Sequence, residues 1–208
     1  MNVNNKSGAV LVLSGPSGAG KSSLINKISD AIGEYYFSIS TTTRPMREGE
    51  IEGVHYHFVS EEEFKKDIED DNFLEYAVVH GNYYGTSLKA VKEALHQGKL
   101  VLFDIDVQGN ASVNNRLGDI TTSVFITTPS LSELEKRLYK RSTDSKEVIE
   151  NRIKMAKREI QRITEYDHLI VNDDLDEAAQ ALILIAKTAR MKVASEDINA
   201  FVQKWEEL

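Results

Sequence analysis

Gly15, Pro16, Ser17, Gly18, Ala19, Gly20, Lys21 and Ser22 fit the G-x-x-x-x-G-K-[ST] phosphate-binding pattern at every defined position. Glycines let backbone N–H groups turn inward around phosphates, Lys21 reaches the β and γ phosphates, and the Ser22 hydroxyl is placed to ligate Mg2+. A Gly-rich strand-to-helix turn without a ligand is the competing reading, and four constrained positions with the right flanks stand against it. Phosphoryl transfer also needs charge neutralised from several directions. Arg44 and Arg47 lie three apart beside the hydroxyls of Thr41 to Thr43, Arg137 and Arg141 lie four apart, and Arg152 follows on the next helix. Each alone could be an ordinary surface arginine. Val101 to Asp106 reads as a buried strand ending in Asp104 and Asp106, where open α/β sheets place their ligands. The competing role for such an acid is to cap the next helix. Asp106 to Gly109 also fits a GTPase D-x-x-G switch, but no guanine-reading N-K-x-D occurs.

These residues need elements to hold them. Apolar runs and helical periodicities alternate: strand 9–14, helix 21–33, strand 99–105, helix 107–117, strand 121–127, helix 130–141, strand 168–171 and helix 174–192. That order predicts an α/β fold with a parallel sheet flanked by helices on both faces. Ser60 with Glu63, and Ser130 with Glu133, read as capping boxes. Residues 36–90 interrupt the alternation with short extended pieces (37–40, 55–58, 73–79), a helix from Ser60 and a hairpin signal at His80 to Asn82, which suggests a small β-rich subdomain. After a polar stretch at Ser142 to Ser145, a basic helix with Val148, Ile149, Ile153, Ala156, Ile160 and Ile163 on one side suggests a lid. Ile198, Phe201, Val202 and Trp205 follow helical spacing, so the tail reads as a helix with one apolar face. No internal repeat is visible.

A chain of 208 residues with 41% hydrophobic content fits one domain with insertions. We divide it into a core (8–35, 91–135 and 164–192), the subdomain 36–90, a lid at about 136–163 and a tail at 193–208. With no cysteine, disulfides and thiolate metal sites are excluded. His55 and His57 share one side of a strand with no third ligand nearby, and His80, His96 and His168 form no catalytic group. The polar start at Met1 to Lys6 has no signal-peptide pattern, and no apolar run approaches the ~18 residues of a membrane span. A cytoplasmic protein without membrane contact is the expectation. The net charge of −8 argues against a nucleic-acid polymer as partner. Yet Lys136 to Arg162 carries ten basic residues against four acids, the pattern of a local anion site.

Taken together, these blocks resemble the guanylate kinase family of P-loop nucleoside monophosphate kinases. The resemblance is carried by Gly15 to Ser22, Phe37 to Arg44, Arg47 to Glu50, Tyr56, Phe73 to Glu75, Gly81 to Thr86, Asp104 to Asp106 with Gln108 and Gly109, Arg137 to Arg141, Arg152 and Val171 to Asp173. They stand in family order and cover about residues 8–192. The resemblance implies transfer of a phosphoryl group from ATP to GMP, and to dGMP, in purine nucleotide metabolism and GMP recycling. ATP would lie on residues 15–23, including Ser23, with Arg137 near it and Asn172 and Asp173 bordering the adenine. GMP would sit in the β-rich insertion. Its phosphate would meet Arg44, Arg47, Tyr56 and Tyr84, its base Ser40, Glu75 and Thr86, with Glu50, Gly85, Asp104 and Asp106 completing the site. Lys21, Arg47, Arg141 and Arg152 would be catalytic, and Mg2+ would bind at Ser22 with Asp104 and Asp106 in its outer shell. A homodimer is left open. One chemical argument is independent of family: guanine presents N1–H and an exocyclic amine on one edge, so a single carboxylate accepts both, whereas adenine lacks that donor pair.

Two departures stand out. The family turn reads Arg-x-Pro-Arg, whereas here Pro45 directly follows Arg44, and the frequent glycine after the lid arginine is Ser142. Two rivals are a non-catalytic binding module of the same fold and a kinase for a sugar phosphate. Intact Lys21, Ser22, Arg47, Arg141 and Arg152 count against the first, and Glu75 with Ser40 against the second.

Overall fold

The computed structural model describes residues 8–79, 81–140, 145–193 and 198–207. Ala9–Ser14 (β1) is buried along its whole length, as expected of a central parallel strand covered on both faces. It lies between Leu100–Asp104 (β7) and Thr121–Thr127 (β8), both parallel to it. Tyr35–Phe37 (β2) and His168–Val171 (β9) complete a five-stranded sheet of order β2-β7-β1-β8-β9. Alternating side chains of β1 enter two cores. Leu11 and Leu13 meet Leu24 and Ile28 of helix Lys21–Ile28 (α1) and Leu182 and Ala186 of helix Leu175–Ala189 (α7). Val10 and Val12 meet Val91 of helix Leu88–His96 (α3) and Val113 of helix Val107–Leu117 (α4). The predicted α/β sheet flanked by helices is the observed fold.

A second sheet of four strands has the order β4-β3-β6-β5, from Ser40–Thr42 (β3), His57–Phe58 (β4), Phe73–Val79 (β5) and Asn82–Ser87 (β6). Helix Glu61–Glu69 (α2) packs on it and begins with the capping box expected at Ser60 and Glu63. Helices Leu131–Lys140 (α5) and Lys146–Glu159 (α6) share a small core of Leu134, Leu138, Ile149 and Ala156. A 3-10 turn at Ile160–Glu165 then leads to β9. The tail forms helix Ile198–Glu206 (α8).

Three details differ from the expectations. Helix α1 stops at Ile28, before the left-handed Gly33. The piece expected at 37–40 is two strands, and β2 belongs to the core sheet, so the boundary drawn at residue 36 falls inside a core strand. Helix α3 is not among the expected elements although Leu88, Val91 and Ala94 recur at helical spacing; it follows β6 without a loop, and Ser87 caps it. Residues His80 and Arg141 to Asp144, which carry the hairpin tip, a catalytic expectation and the hinge departure, lie outside the described residues.

Candidate active site

The phosphate loop turns sharply between β1 and α1, and its glycines have steric reasons to be glycine. Gly15 has φ +140°, and a Cβ there would fall 1.9 Å from the Ile126 carbonyl oxygen. Gly20 has φ +94°, and a Cβ would lie 2.3 Å from Asn172 Nδ2. That amide belongs to the loop's support: Asn172, buried after β9, donates from Nδ2 to the Ala19 carbonyl at 2.8 Å. Lys21 opens α1 and donates to the Gly15 carbonyl at 2.6 Å. Its ammonium lies 3.8 Å from Asp104 at the end of β7. Burial pushes the Asp104 carboxyl above its ordinary range, and Lys21 pulls it partly back.

Asp106 does serve as a helix cap: its Oδ1 accepts from the amides of Gln108 and Gly109 at 2.9 and 2.8 Å. This fixes the start of α4 against the sheet that would hold GMP, because a Cβ on Gly109 would lie 3.3 Å from Glu75 Oε1. Ser22 sits in the first turn of α1. Among the described residues no three acidic or histidine side chains converge as a metal cage. The Ser22 hydroxyl and the Asp104 and Asp106 carboxylates are hard oxygen donors that suit Mg2+, which keeps several waters and borrows phosphate oxygens: Ser22 would be the protein ligand, with Asp104 and Asp106 beyond the waters.

On the second sheet, strand register lines up three polar residues. Ser40 of β3 pairs with Thr86 of β6, and Thr86 pairs with Glu75 of β5. The next row on that face is Thr42, Tyr84 and Ala77. A bulge between Phe73 and Glu75 makes this possible. Without it, residues two apart would share a face; with it, Phe73 stacks on Phe64 of α2 at 4.2 Å while Glu75 points the other way. Gly85 faces the aromatic side, where a Cβ would meet Phe73 at 2.7 Å, so it lines the row only by its backbone. Glu75 is half-buried and bonded to Thr86 and Ser112. Burial raises its pKa, and the charge of Asp106 adds to the rise.

Arg44 leaves β3 and reaches back to Glu50, Nη2 to Oε1 at 2.6 Å, while the other Glu50 oxygen accepts from the Arg47 amide at 2.7 Å. The shifted Pro45 thus leaves a turn braced at both arginines. Arg44 in turn holds the Glu50 carboxyl below its ordinary range. The guanidinium of Arg44 lies over the ring of Tyr56 at 5.5 Å, and Tyr56 meets Tyr84 edge-on at 6.0 Å. Arg44, Glu50, Tyr56 and Tyr84 are therefore one cluster. Arg47 is exposed beside it.

Arg152 of α6 crosses to the phosphate loop, its Nη1 donating to Ser17 Oγ at 3.1 Å. Arg137 of α5 is held by Glu133, Nε to Oε1 at 2.9 Å, and Ser130 Oγ accepts from the Glu133 amide. A cavity of about 320 Å³ is lined by Gly20, Ser23, Arg137, Asn172, Asp173 and Leu175. Sequence reasoning missed Ser112, whose only signal is its place one turn beyond Gln108 on α4, and Glu159, a lone acid at the end of a basic helix.

Comparisons with known proteins point to one family. The sequence model described as "Guanylate kinase" matches residues 7–188. The chain is 72% identical to the guanylate kinase of Sulfurimonas denitrificans, over 99% of this chain and all of that protein. It is 52% identical to that of Helicobacter hepaticus, over 95% of this chain and 98% of the relative. The crystal structure of guanylate kinase from Anaplasma phagocytophilum superimposes with a TM-score of 0.68 at 32% identity, covering 93% of this chain and 92% of that one. With a phosphate loop braced by Asn172, a polar row across a second sheet and arginines from three segments already in place, this chain belongs to the guanylate kinase family.

Proposed function

We propose that the chain transfers the γ-phosphoryl group of ATP to GMP, giving ADP and GDP, and accepts dGMP as well. The observation that carries this reading is the row Ser40, Thr86 and Glu75, with a half-buried carboxylate aimed where a guanine edge would lie. ATP is placed with its phosphates on residues 15–23 and its adenine in the cavity of Arg137, Asn172 and Asp173. The phosphate of GMP is placed on Arg44, Arg47, Tyr56 and Tyr84.

In the reaction an anionic oxygen of the GMP phosphate forms a bond to the γ phosphorus while the bond to the β,γ-bridging oxygen breaks, so no base is needed. Ser22, with Asp104 and Asp106 beyond the metal's waters, would hold Mg2+, which when bound would supply charge neutralisation at the phosphates. Lys21, Arg47, Arg141 and Arg152 neutralise the charge spread over the transferred group. The role fits purine nucleotide metabolism and GMP recycling in the cytoplasm, and no helix among the described residues is long and apolar enough to cross a membrane. Whether the chain forms a homodimer is open, to be read by sedimentation.

The test is coupled ADP release over a panel of nucleoside monophosphates with Mg2+ present. GMP and dGMP should turn over, and AMP, CMP and UMP should scarcely react. Equal turnover of AMP would remove the guanine assignment, and no turnover of any would remove the kinase reading.

A further inference from the structure

Glu159 is the last residue of α6, and its surroundings place it at the phosphate loop. It lies seven residues after Arg152, two helical turns along the same side. Arg152 reaches Ser17 of the loop. Ala156, one turn from each, is buried against the neighbouring helix with Leu134 and Leu138. This side of α6 therefore lies over the loop, and the half-buried Glu159 carboxylate stands at its C-terminal end. The charges that bear on it are Lys21, attractive, and Asp106, repulsive.

An acid here is at odds with its expected ligand. A triphosphate brings several negative charges to Lys21, and a nearby half-buried carboxylate repels them unless a cation stands between. Lys21 is already shared with Asp104 and the Gly15 carbonyl. We propose that Glu159 is a positioning carboxylate for the metal-bound nucleotide: it accepts hydrogen bonds from water ligands of the Mg2+ that arrives with the triphosphate, and so couples the C-terminal end of α6 to metal arrival. The proposal rests on the reading of the phosphate loop as an ATP and Mg2+ site.

The test is calorimetric binding of a non-hydrolysable ATP analogue to the full chain, with Mg2+ and again with EDTA, and no catalysis is involved. The readout is the ratio of the two dissociation constants. Glu159→Gln keeps shape and removes charge, so the metal-free analogue should bind more tightly than to the wild type and the Mg2+-loaded analogue more weakly. The gain from Mg2+ should shrink by roughly tenfold, the low end for loss of an outer-shell partner. Glu147→Gln, at the exposed far end of α6, should leave the ratio at its wild-type value. Should Glu159→Gln fail to fold, Glu159→Asp carries the same test with a smaller expected loss. An unchanged or larger ratio in the Glu159 variants overturns the proposal. A wild-type protein that gains nothing from Mg2+ overturns instead the reading of the loop on which it stands.

Discussion

The proposed guanine-reading role of Glu75 sets recognition against stability in a single side chain. Its folded pKa is raised above the ordinary 4.5, first by burial and then by Asp106. A carboxylate with a raised pKa destabilises the fold above that pKa, and the penalty fades as pH falls through it and is gone below the ordinary value, where both states are protonated. Glu75→Gln should therefore raise Tm at neutral pH in differential scanning fluorimetry, with the gain vanishing as pH falls below 4.5. The same change should cost GMP about 1 to 3 kcal/mol in kcat/KM, because a neutral amide cannot accept both guanine donors. In the wild type, GMP recognition should weaken as pH falls through the raised Glu75 pKa, while the variant should lose that component of the profile and retain only the titration of the GMP phosphate. A Tm that falls in the variant, or a wild-type profile shared by the variant, would count against this assignment. Arg152 allows a complementary measurement: Arg152→Ala should lower kcat by ~10³ or more with a smaller change in GMP dissociation constant, the signature of a group acting on the transferring phosphate. Near-normal kcat would make the contact with Ser17 its whole role.

At the level of elements, most of the core sheet was legible from sequence because buried parallel strands are continuous apolar runs: β1, β8 and β9 match their expected bounds. The second sheet was harder. Its strands are short, its faces mix aromatic and polar residues, and the Phe73/Glu75 bulge breaks the two-residue alternation on which strand reading depends. Most of the candidate site was legible from motifs, since a phosphate loop constrains residue types at fixed spacing. Ser112 and Glu159 were not, because each reaches the site only through tertiary packing. Gly85 shows the same limit: its motif position suggested a ligand contact, whereas the structure shows Phe64 and Phe73 packed where a side chain would be. Gly85→Ala should destabilise the protein by about 1 to 3 kcal/mol in urea titration, as overpacking does. It should also raise KM for GMP more than KM for ATP, because the distortion lies in one sheet. Equal effects on both would mean that the second sheet and the core respond as one body.

The molecule as a whole is a parallel sheet with two appendages to which the proposed reaction assigns opposite parts of the chemistry. The β-rich sheet presents Arg44 and Arg47, and α6 presents Arg152. Like charges on the two disfavour close approach until phosphates lie between them, so binding of both nucleotides should draw them together. The chain has no cysteine, so a pair of introduced thiols can be labelled without background. Energy transfer between a label on β6 and one on α6 should rise most with GMP and an ATP analogue together and only partly with either. Equal transfer in all four ligand states would rule out closure. How the guanine-facing sheet stays attached during such movement comes back to the bulge. The extra residue there is Leu74, and it enters the same apolar core as Val10, Val12 and Phe103. Phe73 and Glu75 already pair with adjacent partners, Ser87 and Thr86, as though Leu74 were not counted. Loss of its codon would leave every pairing on the sheet in frame and both aromatic and guanine-facing sides intact. The proposed recognition surface would be spelled as before, without the apolar anchor that Leu74 gives it in the core.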